Sequence, residues 1–557
     1  MHQAERDSLV TELDRKSMER GPGRFWRSPA WFLFGFFFLF YTFTNAGWYK
    51  AGDEFFTVQV ARQLVTKGQI GFELEEPLQD PYAEDYILKG PDSRFYTKWG
   101  LGQSLVEVPF LFFHRLVTSV HLPTHIGGGL PDASYHSEWM FLILCPSLVS
   151  ALGCALLYGF GRRLGYSERV AMVLSVVYGL CTMVWPYSKS LMSEGTLNVA
   201  ILGGVYGALS YSVDNRKGWL TVSGACLGFA VITKIISLVV MPLVVIYLLA
   251  SRDFRSTLRD VCLFFLPLLI LFLSVEGWHN AVRYGTIWPS GYDKGWGVLG
   301  FSTPLYAGLW GLFASPGKSF FVYSPVCLLG LLSARSFFKR NRNEALLFLC
   351  IVGTYTIPHA LWCLWAGDWA WGPRFLLVIT PYLILPAGEF FRTWSVKSRV
   401  TKGITLGLLG LSLWVQILGV TVHPFAFIET RAGVVTRLID LNSMVFTYAG
   451  AYCEDTFNQF SPRFSHVVGN WWLFKHMLFN YDLWSDAPWS ALGDFGLDPP
   501  KWVVGNRTIP FWWPVTVPLI APASKVWVYP LVILNFLVLV LSARKVALNL
   551  IHSTGKK

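Results

Sequence analysis

Two adjacent acids, Asp53 and Glu54, open the stretch "DEFFTVQVARQLVTKG", which follows the first long apolar run of the chain. Phe56, Val60, Ala61, Leu64 and Val65 recur at helical spacing, so the stretch predicts an amphipathic helix that begins at the acids and stops at Lys67-Gly68. An Asp at a helix start accepts the free N–H groups of the first turn, and the positive end of the helix dipole favours its carboxylate form. Asp53 is therefore either a cap alone or a cap that doubles as an anionic base, able to take a proton from a hydroxyl. Company favours chemistry: the same loop continues to "SRFYTKWGLGQSL", which delivers Arg94, Tyr96, Lys98 and Trp99 to the same side.

Other charged residues lie close to the ends of predicted spans. They are Lys189 and Glu194 in "WPYSKSLMSEG", Lys234 at the break of a long apolar hairpin, Lys318 in "ASPGKSFFVYSP", and Asp368 with Arg374 in "WAGDWAWGPRF". Singly, each is accounted for as a snorkelling or paired residue. Lys234 fits that account least, because only a wet cavity or a partner tolerates a cation in the middle of an apolar hairpin. Together, cations and a few carboxylates framed by Trp and Tyr describe a pocket for a phosphate on a lipid tail, with the phosphate at the surface and the tail in hydrocarbon. No metal site is expected. His121 and His125 have helical ligand spacing, but Pro123 between them argues against a helix.

The elements that position these residues are set by composition: 53% of the 557 residues are hydrophobic, 15% are charged, and mean hydropathy is +0.42. This is the composition of an all-α polytopic membrane protein. Apolar stretches recur at 31–48, 139–160, 170–185, 194–213, 219–250 (two short spans divided at Thr233-Lys234), 261–277, 319–333, 345–362, 375–390, 403–420 and 526–542, giving about 12 transmembrane helices. Of the 46 Lys and Arg, 26 fall in the head, the tail and five short connections, which puts both termini in the cytoplasm. The loops 49–138, 185–193, 278–318, 363–374 and 421–525 are then extracytoplasmic. Leu105 to Leu122 carries Glu107, Pro109, His114 and Arg115 and reads as an interfacial or re-entrant helix. The net charge of +11 is met by cytoplasmic loops facing anionic lipid, and there is no nucleic-acid signature. Nine cysteines, seven of them in apolar spans, imply no disulfide framework.

These residues resemble the GT-C superfamily of integral membrane glycosyltransferases, in the branch that holds protein O-mannosyltransferases and the lipid A aminoarabinose transferase. That family carries an acidic residue, often Asp-Glu, at the start of a helix in its first large external loop, and Asp53-Glu54 before "FFTVQVARQL" matches in residue and place. Lys98 in "YTKWGLGQSL" is similar to the lysine that contacts the carrier phosphate, although Trp99-Gly100 stands where that branch has prolines. "SEGTLNVAI", "RYGTIWPSGY", "SPGKSFFVYSP" and "WAGDWAWGPRFLL" look like segments of bacterial members. The likeness covers a module of residues 30–400 with its catalytic loop at 49–138, behind a head of 1–29; residues 401–557 are a variable part with a loop at 421–525 and a last span at 526–542.

The resemblance implies an inverting transfer of a sugar from a polyprenyl-phosphate donor to a hydroxyl of a glycolipid, cell-envelope glycan or protein, at the outer face of the cytoplasmic membrane. Asp53, with Glu54 beside it, would be catalytic. Lys98, Arg374, Lys234 and Lys189 would hold the donor phosphate, and Tyr96, Trp99, Glu194, Tyr292, Lys318 and Asp368 would line the pocket. No cofactor is implied beyond the lipid-linked donor, and the partners are that donor, membrane lipid and the acceptor. The competing expectations are a transporter or flippase and a ligase or polymerase of lipid-linked glycans. A transporter of this kind is commonly built on an inverted repeat of broken helices, and none is seen here.

Overall fold

The computed structural model describes residues 29–45, 52–73, 87–117, 133–252, 254–288, 300–367, 370–422, 427, 460, 462, 465–479 and 522–552. Tyr292, Asp368, the head and most of the 421–525 loop lie outside them. Apolar segments without backbone partners have no alternative in hydrocarbon to helix, and the described residues are helical almost throughout. The exception is a two-stranded antiparallel hairpin, β1 (Ile87–Lys89) and β2 (Phe95–Thr97), with Leu88 opposite Tyr96.

The chain enters through α1 (Pro29–Thr44), then runs through α2 (Gly52–Lys67), the hairpin and α3 (Gly102–Val117). After α4 (Ala133–Leu142) and α5 (Leu144–Arg163) come α6 (Glu168–Leu180), α7 (Ser193–Asp214) and α8 (Gly218–Thr233). A short 3-10 turn at Ile235–Val239 leads into α9 (Val240–Ser251), followed by α10 (Phe254–Tyr284), α11 (Leu305–Ala314), α12 (Leu328–Arg340) and α13 (Arg342–Leu361). Helical turns over Arg374–Arg392 form α14, and α15 (Arg399–Thr421), α16 (His466–Phe479) and α17 (Pro522–His552) complete the order.

The protein is an integral membrane protein. Among the described residues, six helices are long and apolar enough to cross a bilayer: Glu138–Arg163, α7, α10, α13, α14 and α15. Four shorter apolar helices, Pro29–Thr44, Gly218–Thr233, Ile235–Ser251 and Leu305–Ala314, accompany them. Close packing relies on small residues, as lipid-immersed helices require: a Cβ on Gly224 would stand 1.9 Å from the Phe264 carbonyl oxygen, so only glycine lets α8 meet α10 there.

The expected division at Thr233-Lys234 is present: α8 ends at Thr233 and Lys234 is extended, with φ −154° and ψ 116°. The Leu105–Leu122 stretch forms α3, which buries Gln103, Ser104, Glu107, Leu111 and His114 and leaves Phe112, Phe113, Leu116 and Val117 more than half exposed. That two-faced helix fits an interfacial position. One expectation is corrected. From Glu54 to Gln63, α2 is buried on nearly every side rather than along one apolar face. Its polar residues find partners inside: Arg62 Nε donates to both Glu138 oxygens at 2.9 and 3.0 Å, and Gln59 accepts from Arg62 Nη1 at 3.1 Å.

The bundle has two chemically distinct ends. Helix α7 starts beside Glu194 and finishes at Asp214, which meets Arg163 at 2.5 Å. Helix α14 starts at Arg374 and carries Glu389 near its other end, paired with Arg340 at 2.8 Å. The connections rich in Arg and Lys thus gather at one end, and the acids and cations singled out by the sequence gather at the other.

Candidate active site

Four of the expected residues form one chain of charge at the end where α7 and α14 begin. The Arg374 guanidinium donates to Asp53 Oδ2 at 2.9 Å, and its Nε lies 4.0 Å from Glu194 Oε1. The same Glu194 oxygen accepts from Lys234 Nζ at 2.6 Å. Order along the site is therefore Asp53, Arg374, Glu194, Lys234, with cations and carboxylates alternating. Phe375 lies beneath both cations, its ring centre 5.1 Å from the Arg374 guanidinium carbon and 5.0 Å from Lys234 Nζ. Glu194 is 2% exposed, whereas the Asp53 side chain is 21% exposed, so the open end of the chain is the end that carries Asp53.

Each member is placed by a local feature of the sequence. Asp53 sits inside the first turn of α2 rather than ahead of it, so the cap reading is replaced by a first-turn acid paired with Arg374. Lys234 is put there by the break between α8 and the 3-10 turn, which costs the chain a stretch of helix and turns a span residue into a site residue. Arg374 follows a segment pinned by three hydrogen bonds from two side chains. Lys318 Nζ donates to the Ala370 and Gly372 carbonyls at 2.6 and 3.2 Å, and the Tyr187 hydroxyl donates to the Trp371 carbonyl at 3.0 Å.

Glu54 does not share the site with its neighbour. It is fully buried and accepts from the Ser190 hydroxyl and from the Leu191 N–H, the latter at 2.9 Å. Successive helical residues point about 100° apart, and Glu54 faces the loop that leads into α7. Glu54, expected beside Asp53 in the catalytic role, is instead placed where its bonds tie the start of α7, and hence Glu194, to the start of α2. Lys189, expected at the donor phosphate, is 3% exposed and its Nζ donates to the Val420 carbonyl at 2.6 Å, which ties its loop to α15. Lys318, fully buried, is tied to its two carbonyls in the same way. Tyr96 belongs to the hairpin core. Its hydroxyl donates to Asp92 at 2.7 Å, and burial followed by that bond pushes the phenol up to about 12.

Lys98 lies over the Trp99 ring at 5.4 Å, and Trp99 stacks on Phe56 of α2 at 6.2 Å. Behind it, Gly100 and Gly102 seat the loop on the α8 break. A Cβ would stand 2.4 Å from the Ile232 carbonyl oxygen at Gly100 and 2.1 Å from Thr233 Oγ1 at Gly102. The loop that carries Lys98 therefore rests on the residue before Lys234.

A buried polar layer supports this end from α3. Glu107 accepts from Gln103 at 2.8 Å and from the Thr57 hydroxyl at 3.3 Å, while Gln103 accepts from Thr196 at 2.7 Å. Burial pushes the Glu107 carboxyl well above the usual carboxylate range, outweighing the lowering from Gln103 and Thr57. Sequence reading did not pick out this layer. Its signal was the cluster of polar residues at i, i+1 and i+4 in an otherwise apolar helix. Among the described residues, no group of three or more His, Cys, Asp and Glu side chains could hold a metal ion.

Residues 135–278 match the family model described as Dolichyl-phosphate-mannose-protein mannosyltransferase. Two solved structures are similar in fold. ArnT from Cupriavidus metallidurans in the apo state shares 14% identity, covering 78% of this chain and 76% of that one with a TM-score of 0.45. The same protein bound to undecaprenyl phosphate gives 14% identity, 81% and 78% coverage and a TM-score of 0.46. No curated protein matches this chain. The family-model match supports the resemblance to the GT-C superfamily of membrane glycosyltransferases, and it spans α4 to α10, the part that supplies Glu194 and Lys234.

Proposed function

We propose that the protein transfers a sugar from a polyprenyl-phosphate donor to a hydroxyl acceptor at the extracytoplasmic face of the membrane, with Asp53 as general base. The observation that carries this reading is the charge chain Asp53–Arg374–Glu194–Lys234 with its exposed end at Asp53. With Lys98 added, three cations and two carboxylates sum to +1. A phosphodiester donor brings one negative charge and makes the site neutral.

In the resting chain Asp53 is occupied by Arg374. A donor phosphate has two oxygens for the planar guanidinium fork, and it competes for Arg374 with the single carboxylate oxygen within hydrogen-bonding distance. Once Arg374 has turned to the phosphate, Asp53 is left to accept from the acceptor hydroxyl. The acceptor oxygen then attacks the anomeric carbon from the face opposite the phosphate, its proton passes to Asp53, and the C–O bond to phosphate breaks with its electron pair on the departing polyprenyl phosphate. The product phosphate has gained one negative charge as Asp53 has lost one, so the site stays neutral through the step. Glu194 holds Lys234 and Arg374 in register so that no reorganisation is needed when charge moves to the phosphate.

The experiment is release of polyprenyl phosphate from a radiolabelled polyprenyl-phosphate sugar by the purified protein. Release should require an acceptor hydroxyl and disappear in Asp53→Asn. Movement of intact donor across a vesicle with no release would instead mark a transporter. The side of the membrane is checked by impermeant thiol labelling of Asp92→Cys in a background lacking the native cysteines, because Asp92 lies at the exposed turn of the hairpin. Labelling of intact cells is expected.

A further inference from the structure

The backbone of Lys98, one of the cations of the proposed phosphate site, is held from both sides by a single side chain. Arg283, near the end of α10 and 2% exposed, donates from Nη1 to the Thr97 carbonyl at 2.9 Å and to the Trp99 carbonyl at 3.0 Å. Those two carbonyls flank Lys98. The guanidinium is itself fixed: Nη2 donates to Asn280 at 2.6 Å and lies 3.7 Å from Glu276 Oε1. Glu276 closes a six-residue π-helical stretch, Leu271–Glu276, a local change of winding frequent at functional sites.

On its other faces the same loop has no room to shift. Trp99 stacks on Phe56, one turn after Asp53, and Gly100 and Gly102 press on Ile232 and Thr233, directly before Lys234. Arg283 thus locks a wedge whose two contact surfaces carry Asp53 and Lys234. We infer that Arg283 is a positioning residue for the donor phosphate, acting through Lys98 by clamping the carbonyls on either side of it. This rests on the reading of Lys98 as a phosphate ligand. A guanidinium suits the task because Nη1 serves both carbonyls while Nη2 holds the Asn280 amide, whereas a lysine has a single nitrogen for all three.

A strut that serves only the fold would weaken the protein whether or not Lys98 is present. A positioning residue loses its effect when the group it positions is gone. The test is a double-mutant cycle on binding of a polyprenyl phosphate in detergent, with the corresponding polyprenol as the phosphate-free control and thermal unfolding measured alongside. Lys98→Ala and Arg283→Gln should each weaken polyprenyl phosphate by roughly tenfold, leave polyprenol unchanged, and together do no worse than about twofold beyond Lys98→Ala alone. The inference is overturned if Arg283→Gln leaves phosphate binding intact, or weakens it by the same factor in the Lys98→Ala background. If Lys98→Ala itself binds normally, the phosphate role of Lys98 falls first and the inference falls with it. Should Arg283→Gln fail to fold, Arg283→Lys completes the same cycle, with a smaller loss that again vanishes without Lys98.

Discussion

The two ends of the bundle use the same residue types for different purposes. At the basic end, Arg163 meets Asp214 and Lys217 meets Asp260 in separate pairs, while Arg340 and Arg392 share Glu389; the four cations are 16%, 61%, 29% and 51% exposed. At the other end Arg374 and Lys234 are 9% and 12% exposed, and both reach the same Glu194 oxygen. Separate exposed pairs are screened by water and salt, and each contributes about 0–1 kcal/mol. A desolvated chain is different, because removing one group leaves the next without a counter-charge and without water to replace it. The same contrast separates the neighbours Asp53 and Glu54: one is 21% exposed and paired with Arg374, the other is buried on Ser190 and Leu191.

The largest effect is expected at Asp53. An asparagine keeps the size and can still accept from Arg374, so Asp53→Asn should fold and bind polyprenyl phosphate, yet lose turnover by ~100-fold to 10,000-fold. Single-turnover transfer with purified protein measures this. A loss under tenfold would mean that Asp53 is not the base. Arg374→Lys comes next. It keeps the charge but cannot face Asp53 and Glu194 in one plane, and a drop in kcat/KM for the donor of at least ~10-fold is expected, carried mainly by KM. Unchanged donor KM would place Arg374 with the struts.

Glu54→Gln sharpens the comparison from the other side. The amide oxygen can still accept from Ser190 and Leu191, so the change weakens two charge-assisted bonds without deleting them, and about 1–2 kcal/mol of stability should go. Transfer should fall far less than in Asp53→Asn. Thermal unfolding and turnover on the same samples separate the two: a stable Glu54→Gln protein with no turnover would return Glu54 to the chemistry.

How much of this was legible in the sequence follows from what each residue needs. Asp53, Arg374, Glu194 and Lys234 stand out because a charge at the edge of an apolar run demands a partner, and a single chain shows the demand even when the partner is hidden. Who pairs with whom is tertiary: Arg374 and Asp53 are 321 positions apart. The carbonyl partners of Lys189 and Lys318 were not legible, because a lysine in an aromatic loop looks the same whether it faces a ligand or a carbonyl. Helix α2 was expected to show a polar face because polar residues such as Gln59 and Arg62 lie off its apolar stripe, and the buried partner of Arg62, Glu138, lies 76 positions further on. Arg283 opens the quoted segment "RYGTIWPSGY", yet a basic residue at the end of a span reads first as a snorkelling one. The separation of Glu54 from Asp53 was available in principle, since a helix cannot aim adjacent side chains at one atom.

The smallest effect is expected at Lys217, and it tests whether the two ends differ in kind or only in degree. Its ammonium is 61% exposed and sits 2.7 Å from Asp260 Oδ1, so the attraction acts largely through solvent. In Lys217→Gln the carboxylate loses its charged partner, but the Tyr211 hydroxyl stays within 3.4 Å of its other oxygen, and the new amide can donate in place of the ammonium. A change of about 0.2–1 kcal/mol in stability is expected, shrinking as salt is raised, because both charges lie within reach of mobile ions. Transfer and donor binding should be unaltered, since this pair lies at the far end of α7 and α8 from Glu194 and Lys234. Thermal unfolding at low and high salt, with turnover on the same preparation, measures both quantities. Turnover that falls more than about threefold while stability holds would connect the basic end to the site. The pairs at the two ends would then be parts of one coupled network running along α7 and α8, and the contrast between them would have to be given up.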